Sequence, residues 1–152
     1  MTMSDDRGDI TQLIYRLYAC MDEGRFDDLR SVFADEITVR TPGGLAEGPD
    51  AAIAQAARNH STEERIQHFV HNALVDVDAD GRHAGVRADV IVTFSAAAAP
   101  EGQLAPEPRR TLSERFRYDV TRSPEGWRLS GVDATPVWVI ENQPQDAVPA
   151  GR

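Results

Sequence analysis

The sequence predicts an α+β fold with helices on one face of a curved antiparallel sheet. In the N-terminal part, apolar residues recur at helical spacing, and beyond His60 the period shifts to the alternation of strands. The strand-like stretches then come as two pairs, each joined by a short turn, as antiparallel hairpins do.

A first helix is expected over positions 4–24. Ile10, Leu13, Ile14, Leu17, Tyr18 and Met21 fall on one helical face, with Ser4 as N-cap and Gly24 as the stop. A short second helix, "FDDLRSVF", follows and ends near Asp35. "EITVRT" then reads as a strand closed by the turn signal "PGG". Pro49 suits a helix first turn, so a third helix should run to about His60. "HFVHNALVDVD" and "AGVRADVIVTF" form a hairpin around Asp80 and Gly81, and "TLSERFRYDVTR" and "WRLSGVDATPVWVI" another around "SPEG". The Pro-rich stretch 96–110 between them reads as a long mobile connection able to gate a pocket mouth. One domain over 9–140 is expected, with a flexible N-terminus at 1–8 and a flexible tail at 141–152.

Composition bounds the function. A chain of 152 residues, 41% hydrophobic and 27% charged, suits one globular domain. A net charge of −9 argues against nucleic-acid binding, and no apolar run is long enough to span a bilayer. The lone Cys20 excludes an internal disulfide framework; with an acidic start unlike a secretory signal, it suits the cytoplasm. All sixteen basic residues are Arg, which reads as the codon bias of a GC-rich bacterial genome.

"YRLYACMDEGRFDDLRSVFADEITV" resembles the opening of SnoaL-like members of the NTF2-like superfamily, in which an Asp ends the first helix before a Leu-x-x-x-Phe second helix. "GPDAAIAQ", "QHFVHNALVDVDADG" and "EGWRL" match the usual third helix, second strand and last strand, so the resemblance covers positions 9–139. It implies a cone: a curled sheet and three helices of the N-terminal half enclosing an apolar pocket, dimeric through the convex sheet face. It implies fold far more than function, since the scaffold carries several enzymes and many binders.

Two constellations follow from the resemblance. In SnoaL-like dehydratases acting on scytalone or bile acids, an Asp and a His at positions matching Asp22 and His68 face each other across the pocket. An imidazole can take a proton while the carboxylate fixes its tautomer. Tyr18, one helical turn before Asp22, and Asn72, four residues beyond His68, would share those faces and bind substrate. The family's further acidic or His residue on strand three is replaced by Val92 or Thr93, and its catalytic Tyr by Leu17. The second constellation, Arg87, Asp89 and Asp133, resembles the Asp-Arg-Asp set of the limonene-epoxide-hydrolase-like branch, where one Asp activates water and the other protonates the epoxide. The Tyr and Asn holding the water in that branch fall at Thr38 and Arg40 here.

Each assignment has a plainer competitor. Arg87 and Asp89 at alternate strand positions also suit an exposed ion-pair ladder. Asp133 suits a turn, and Asp22 a solvated helix end. His71, three residues after His68, falls on the opposite strand face, so the pair cannot chelate one metal without a bulge. His60 and His83, at a helix end and a turn, are expected at the surface.

The leading expectation is a small cofactor-free, metal-free enzyme in which His68 and Asp22 carry cyclisation, dehydration or isomerisation of a hydrophobic carbonyl-bearing molecule such as a polyketide or steroid-like ring. The alternatives are an epoxide-opening hydrolase or cyclase using Arg87, Asp89 and Asp133, and a non-catalytic apolar-ligand or dimerisation module. A homodimer is expected, with no nucleic-acid or membrane partner.

Overall fold

The computed structural model describes residues 5–96 and 100–142. Helix α1 spans Asp6–Asp22. It begins inside the stretch expected to be flexible. Asp5 caps it by accepting from the Gly8 N–H at 3.1 Å, whereas Ser4 lies outside the described residues. The apolar face expected from the sequence is the buried one, with Ile10, Ile14 and Leu17 in the core.

The second helix is a single 3-10 segment, Phe26–Ser31, too short for regular α-helix and ended by the Val32 N–H on the Leu29 carbonyl. Strand β1, Phe33–Thr41, starts before the predicted strand. It pairs with a four-residue strand β2, Gly44–Glu47, that was not expected. "GLAE" is too short to show a period, and Gly44 at φ 132° lets the chain reverse. Helix α2, Pro49–Asn59, carries Pro49 in its first turn as expected.

Four long strands follow: β3 (Glu64–Val77), β4 (His83–Ala96), β5 (Arg110–Ser123) and β6 (Gly126–Glu141). The sheet order is β2-β1-β6-β5-β4-β3. Its hairpins are antiparallel, but β1 runs parallel to β6, so the sheet is mixed. A parallel pair needs a long crossover, and residues 42–125, more than half of the chain, lie between these two strands. Helix α1 crosses the concave face against β3 and β6, and α2 closes the β1 end.

The connection between β4 and β5 is pinned where it is described: the Arg65 guanidinium donates to the Gln103 carbonyl at 2.6 Å, and the Arg109 N–H to that of Phe94 at 2.8 Å. Residues 97–99 and 143–152, within the expected mobile loop and tail, lie outside the described residues. Among the described residues no helix is long and apolar enough to cross a membrane.

Candidate active site

Alternation along β3 turns Ile66, His68 and Val70 toward the concave side and Gln67, Phe69 and His71 away from it. His68 lands beside Asp22 at the C-terminal end of α1. One Asp22 oxygen accepts from the His68 Nδ1–H at 2.6 Å, and the other from the His68 backbone N–H at 3.0 Å. The imidazole is 6% exposed and the carboxylate 23%. With Nδ1 committed to Asp22, Nε2 is the ring nitrogen left to meet a ligand.

Tyr18, one turn before Asp22, stacks on the His68 ring at 4.6 Å between centroids and 27° between planes. Its hydroxyl is hydrogen-bonded to that of Tyr118 on β5. Burial, then the paired Tyr118, lifts the Tyr18 phenol well above its ordinary pKa, so it acts as a neutral donor or acceptor.

His68 and Tyr18 border a cavity of about 680 Å³, within the range of small-molecule sites. Its walls are mostly apolar, among them Leu17, Met21, Phe33, Val92, Phe94 and Phe116. Of the 100–110 stretch only Arg110, the first residue of β5, borders it.

Two cavity residues differ from what the sequence suggests. His60, expected at the surface, closes α2 and tilts against His68 at 5.3 Å between ring centroids. Its Nδ1–H donates to the Ala56 carbonyl at 2.7 Å, extending the helix's hydrogen-bonding by one side chain. Burial pushes this imidazole below its ordinary pKa and nearby His68 adds to that, while the Ala56 bond and Asp22 oppose it.

Glu114, on β5, was not singled out at all. On the strand face it shares with Leu112, Phe116, Tyr118 and Val120 it is the lone acid, and an acid within an apolar row was the available signal. Burial lifts its carboxyl above the ordinary value against the pull of His68 and Arg110.

Asn72 does not face the cavity. At φ 52° it forms a bulge, Asn72 and Ala73 standing opposite the single residue Ala88, and the parity of β3 inverts beyond it. Its side chain is exposed and donates to Asp89 on the outer sheet face. Substrate binding by Asn72 is therefore corrected.

The Arg87, Asp89 and Asp133 set is corrected as well. All three project from the face opposite the cavity, between the inward residues Val86, Ala88, Val90, Val132 and Ala134. Register aligns Arg87 with Arg117 and then Asp133, while Asp89 meets Arg115 at 3.0 Å. The Arg115 hydrogen bond is the main cause holding the Asp89 carboxyl below its ordinary pKa. This is a cross-strand charge ladder.

Among the described residues, one group, Asp78, Asp80 and His83, has ligand atoms close enough to share a metal ion. It is exposed on the β3–β4 hairpin, and Asp80 already accepts from the Arg82 and His83 N–H groups and from His83 Nδ1. None of the three borders the cavity.

Three solved structures share this architecture. One is a candidate dehydratase of the NTF2-like family from Streptomyces avermitilis: 20% identity, TM-score 0.76, covering 90% of this chain and 99% of that one. A candidate scytalone dehydratase from Novosphingobium aromaticivorans matches at 18% identity and TM-score 0.74, covering 99% of each chain. A type 2 hexachlorocyclohexane dehydrochlorinase, LinA, matches at 16% identity and TM-score 0.75, covering 96% of this chain and 95% of that one. Identities this low speak for the fold alone. No curated protein matches the chain by sequence. The profile of the SnoaL-like domain matches residues 2–133, and with the NTF2-like cone built by these strands and helices, the chain belongs to the SnoaL-like domain family.

Proposed function

We propose that the protein is an acid–base enzyme needing no cofactor, which removes a proton next to a carbonyl in a hydrophobic ring compound, as cyclisation, dehydration and isomerisation all require. The observation carrying this reading is the two-point hold of Asp22 on His68 at the wall of an apolar cavity. His68 Nε2 is the base. Asp22 fixes the Nδ1–H tautomer and stabilises the imidazolium as it forms. Tyr18 holds the ring by stacking and, through its hydroxyl, binds a substrate oxygen near the dyad.

The test is proton exchange. Incubated in D₂O with a panel of cyclic ketones, the protein should catalyse deuterium incorporation at the carbon next to the carbonyl, read by NMR, and His68→Gln should abolish it. Saturable binding of those ketones with no exchange at any pH would leave an apolar-ligand binder instead.

We also propose a homodimer through the outer sheet face. Register lays Phe69, Ile91, Ser113 and Trp138 in one row across four strands, with Ile140 in the next. Phe69 is 44% exposed and Ile140 53%. The mixed charges of the adjoining ladder suit a two-fold contact of this face with itself.

A further inference from the structure

The proton-removal reading leaves Glu114, the cavity's one carboxyl among the described residues, unused, and its placement is specific. In the sheet, His68 aligns with Val92 and then Leu112, whereas Glu114 aligns with Val90, the partner of Val70. His68 and Glu114 thus lie on the same concave face, two strands apart and one inward position out of step. Two strand spacings put about 10 Å between their backbones, enough for a small ring system to lie between the side chains. Glu114's cross-strand neighbours are Val90 from β4 and Pro136 from β6, both uncharged. The titratable groups facing it are His68 from β3, Tyr18 from α1, and Tyr118 and Arg110 on its own strand. Among the described residues no hydrogen bond or ion pair holds its carboxyl, although it borders the cavity.

We propose that Glu114 is a second catalytic residue, the proton donor that works opposite His68 and protonates a departing hydroxyl. The assignment rests on His68 acting as the base. For a β-hydroxy ketone the step balances without a co-reactant. His68 Nε2 takes the proton on the carbon between carbonyl and carbinol, and the C–H electron pair becomes the new C=C bond. The C–O bond breaks as the Glu114 carboxyl proton passes to the leaving oxygen, which departs as water. The site is left with an imidazolium and a carboxylate, and solvent returns the proton from one to the other. Desolvation of Glu114 favours the protonated form this step needs.

The experiment compares two leaving groups. The probes are 3-hydroxycyclohexanone, whose hydroxide must be protonated to leave, and 3-acetoxycyclohexanone, whose acetate leaves as the anion. With wild-type protein, elimination from the hydroxy probe should fall as pH rises through the Glu114 pKa, and elimination from the acetoxy probe should lack that alkaline limb. Glu114→Gln should lower the hydroxy-to-acetoxy rate ratio about 100-fold, the scale of general-acid catalysis. A ratio unchanged in Glu114→Gln, or the same alkaline limb with both probes, would overturn the role of Glu114. Absence of deuterium exchange on either probe by the wild type would instead overturn the base assignment of His68, and the donor role with it. The wild-type pH comparison needs no variant, so it decides even if Glu114→Gln folds poorly.

Discussion

Asp22 holds His68 at two points, the ring Nδ1 at 2.6 Å and the backbone N–H at 3.0 Å, so one carboxylate sets both the ring's orientation and its position on β3. Replacing it separates those roles. Asp22→Asn keeps the size of the side chain but has only one carbonyl oxygen to serve two donors, and its amide favours the wrong tautomer. Proton exchange should fall by about 10²–10⁴-fold, with ketone affinity little changed. A loss of affinity as large as the loss of rate would mean that Asp22 shapes the cavity and not the base.

Tyr18 and Tyr118 share a hydrogen bond inside the core, and both are buried. Removing one hydroxyl strands the other, so Tyr18→Phe or Tyr118→Phe alone should cost about 1–3 kcal/mol in urea unfolding. The double variant should recover most of that cost, because no buried hydroxyl is left unpaired. Additive losses would show that each hydroxyl has another partner. On exchange, Tyr18→Phe should weaken turnover more than Tyr118→Phe, since Tyr18 borders the cavity.

The parts of the site carried by local pattern are legible in the sequence. The helical face of α1 places Tyr18 and Asp22 one turn apart, and strand parity turns His68 inward and His71 outward. Asn72 defeats that parity because of the bulge. Its trace is visible in hindsight: the inward residues are the even-numbered Ile66, His68 and Val70, then the odd-numbered Ala73, Val75 and Val77. His60 reads as a helix end, and only the fold brings that end beside β3. The parallel meeting of β1 and β6 leaves no local signature, since it joins residues 33–41 to residues 126–141, far apart in the chain.

His60 should make stability pH-dependent. Its native pKa is depressed below 6.5 by burial, so between the two values the unfolded chain binds more protons. Stability from this residue is present above the unfolded value and is lost as pH falls through the native one. Thermal unfolding of wild type against His60→Gln across that window should show a difference that grows in favour of the variant as pH drops. A constant difference would mean that the ring is solvated.

The outer face should control assembly. Phe69→Asp places a charge on the outer face of the sheet, opposite the face that carries the dyad. By sedimentation the variant should be monomeric where the wild type is dimeric, and each subunit should still exchange ketone protons. A wild type that sediments as a monomer at high concentration would remove the proposed dimer.

Glu114 should act on stability with the opposite sign to His60. Its native pKa is raised above 4.5, so between the two values the native state binds more protons than the unfolded chain. Its favourable contribution is complete below the unfolded value and is lost as pH rises through the native one, where folding must keep a desolvated carboxylate. Glu114→Gln removes that burden. The variant should therefore gain melting temperature over the wild type as pH rises, and be slower on the hydroxy ketone over the same interval. Parallel melting curves for the two proteins would place the carboxyl in water. A gain in stability coupled to a loss of water elimination would show that the same burial which strains the fold keeps a proton available to the substrate.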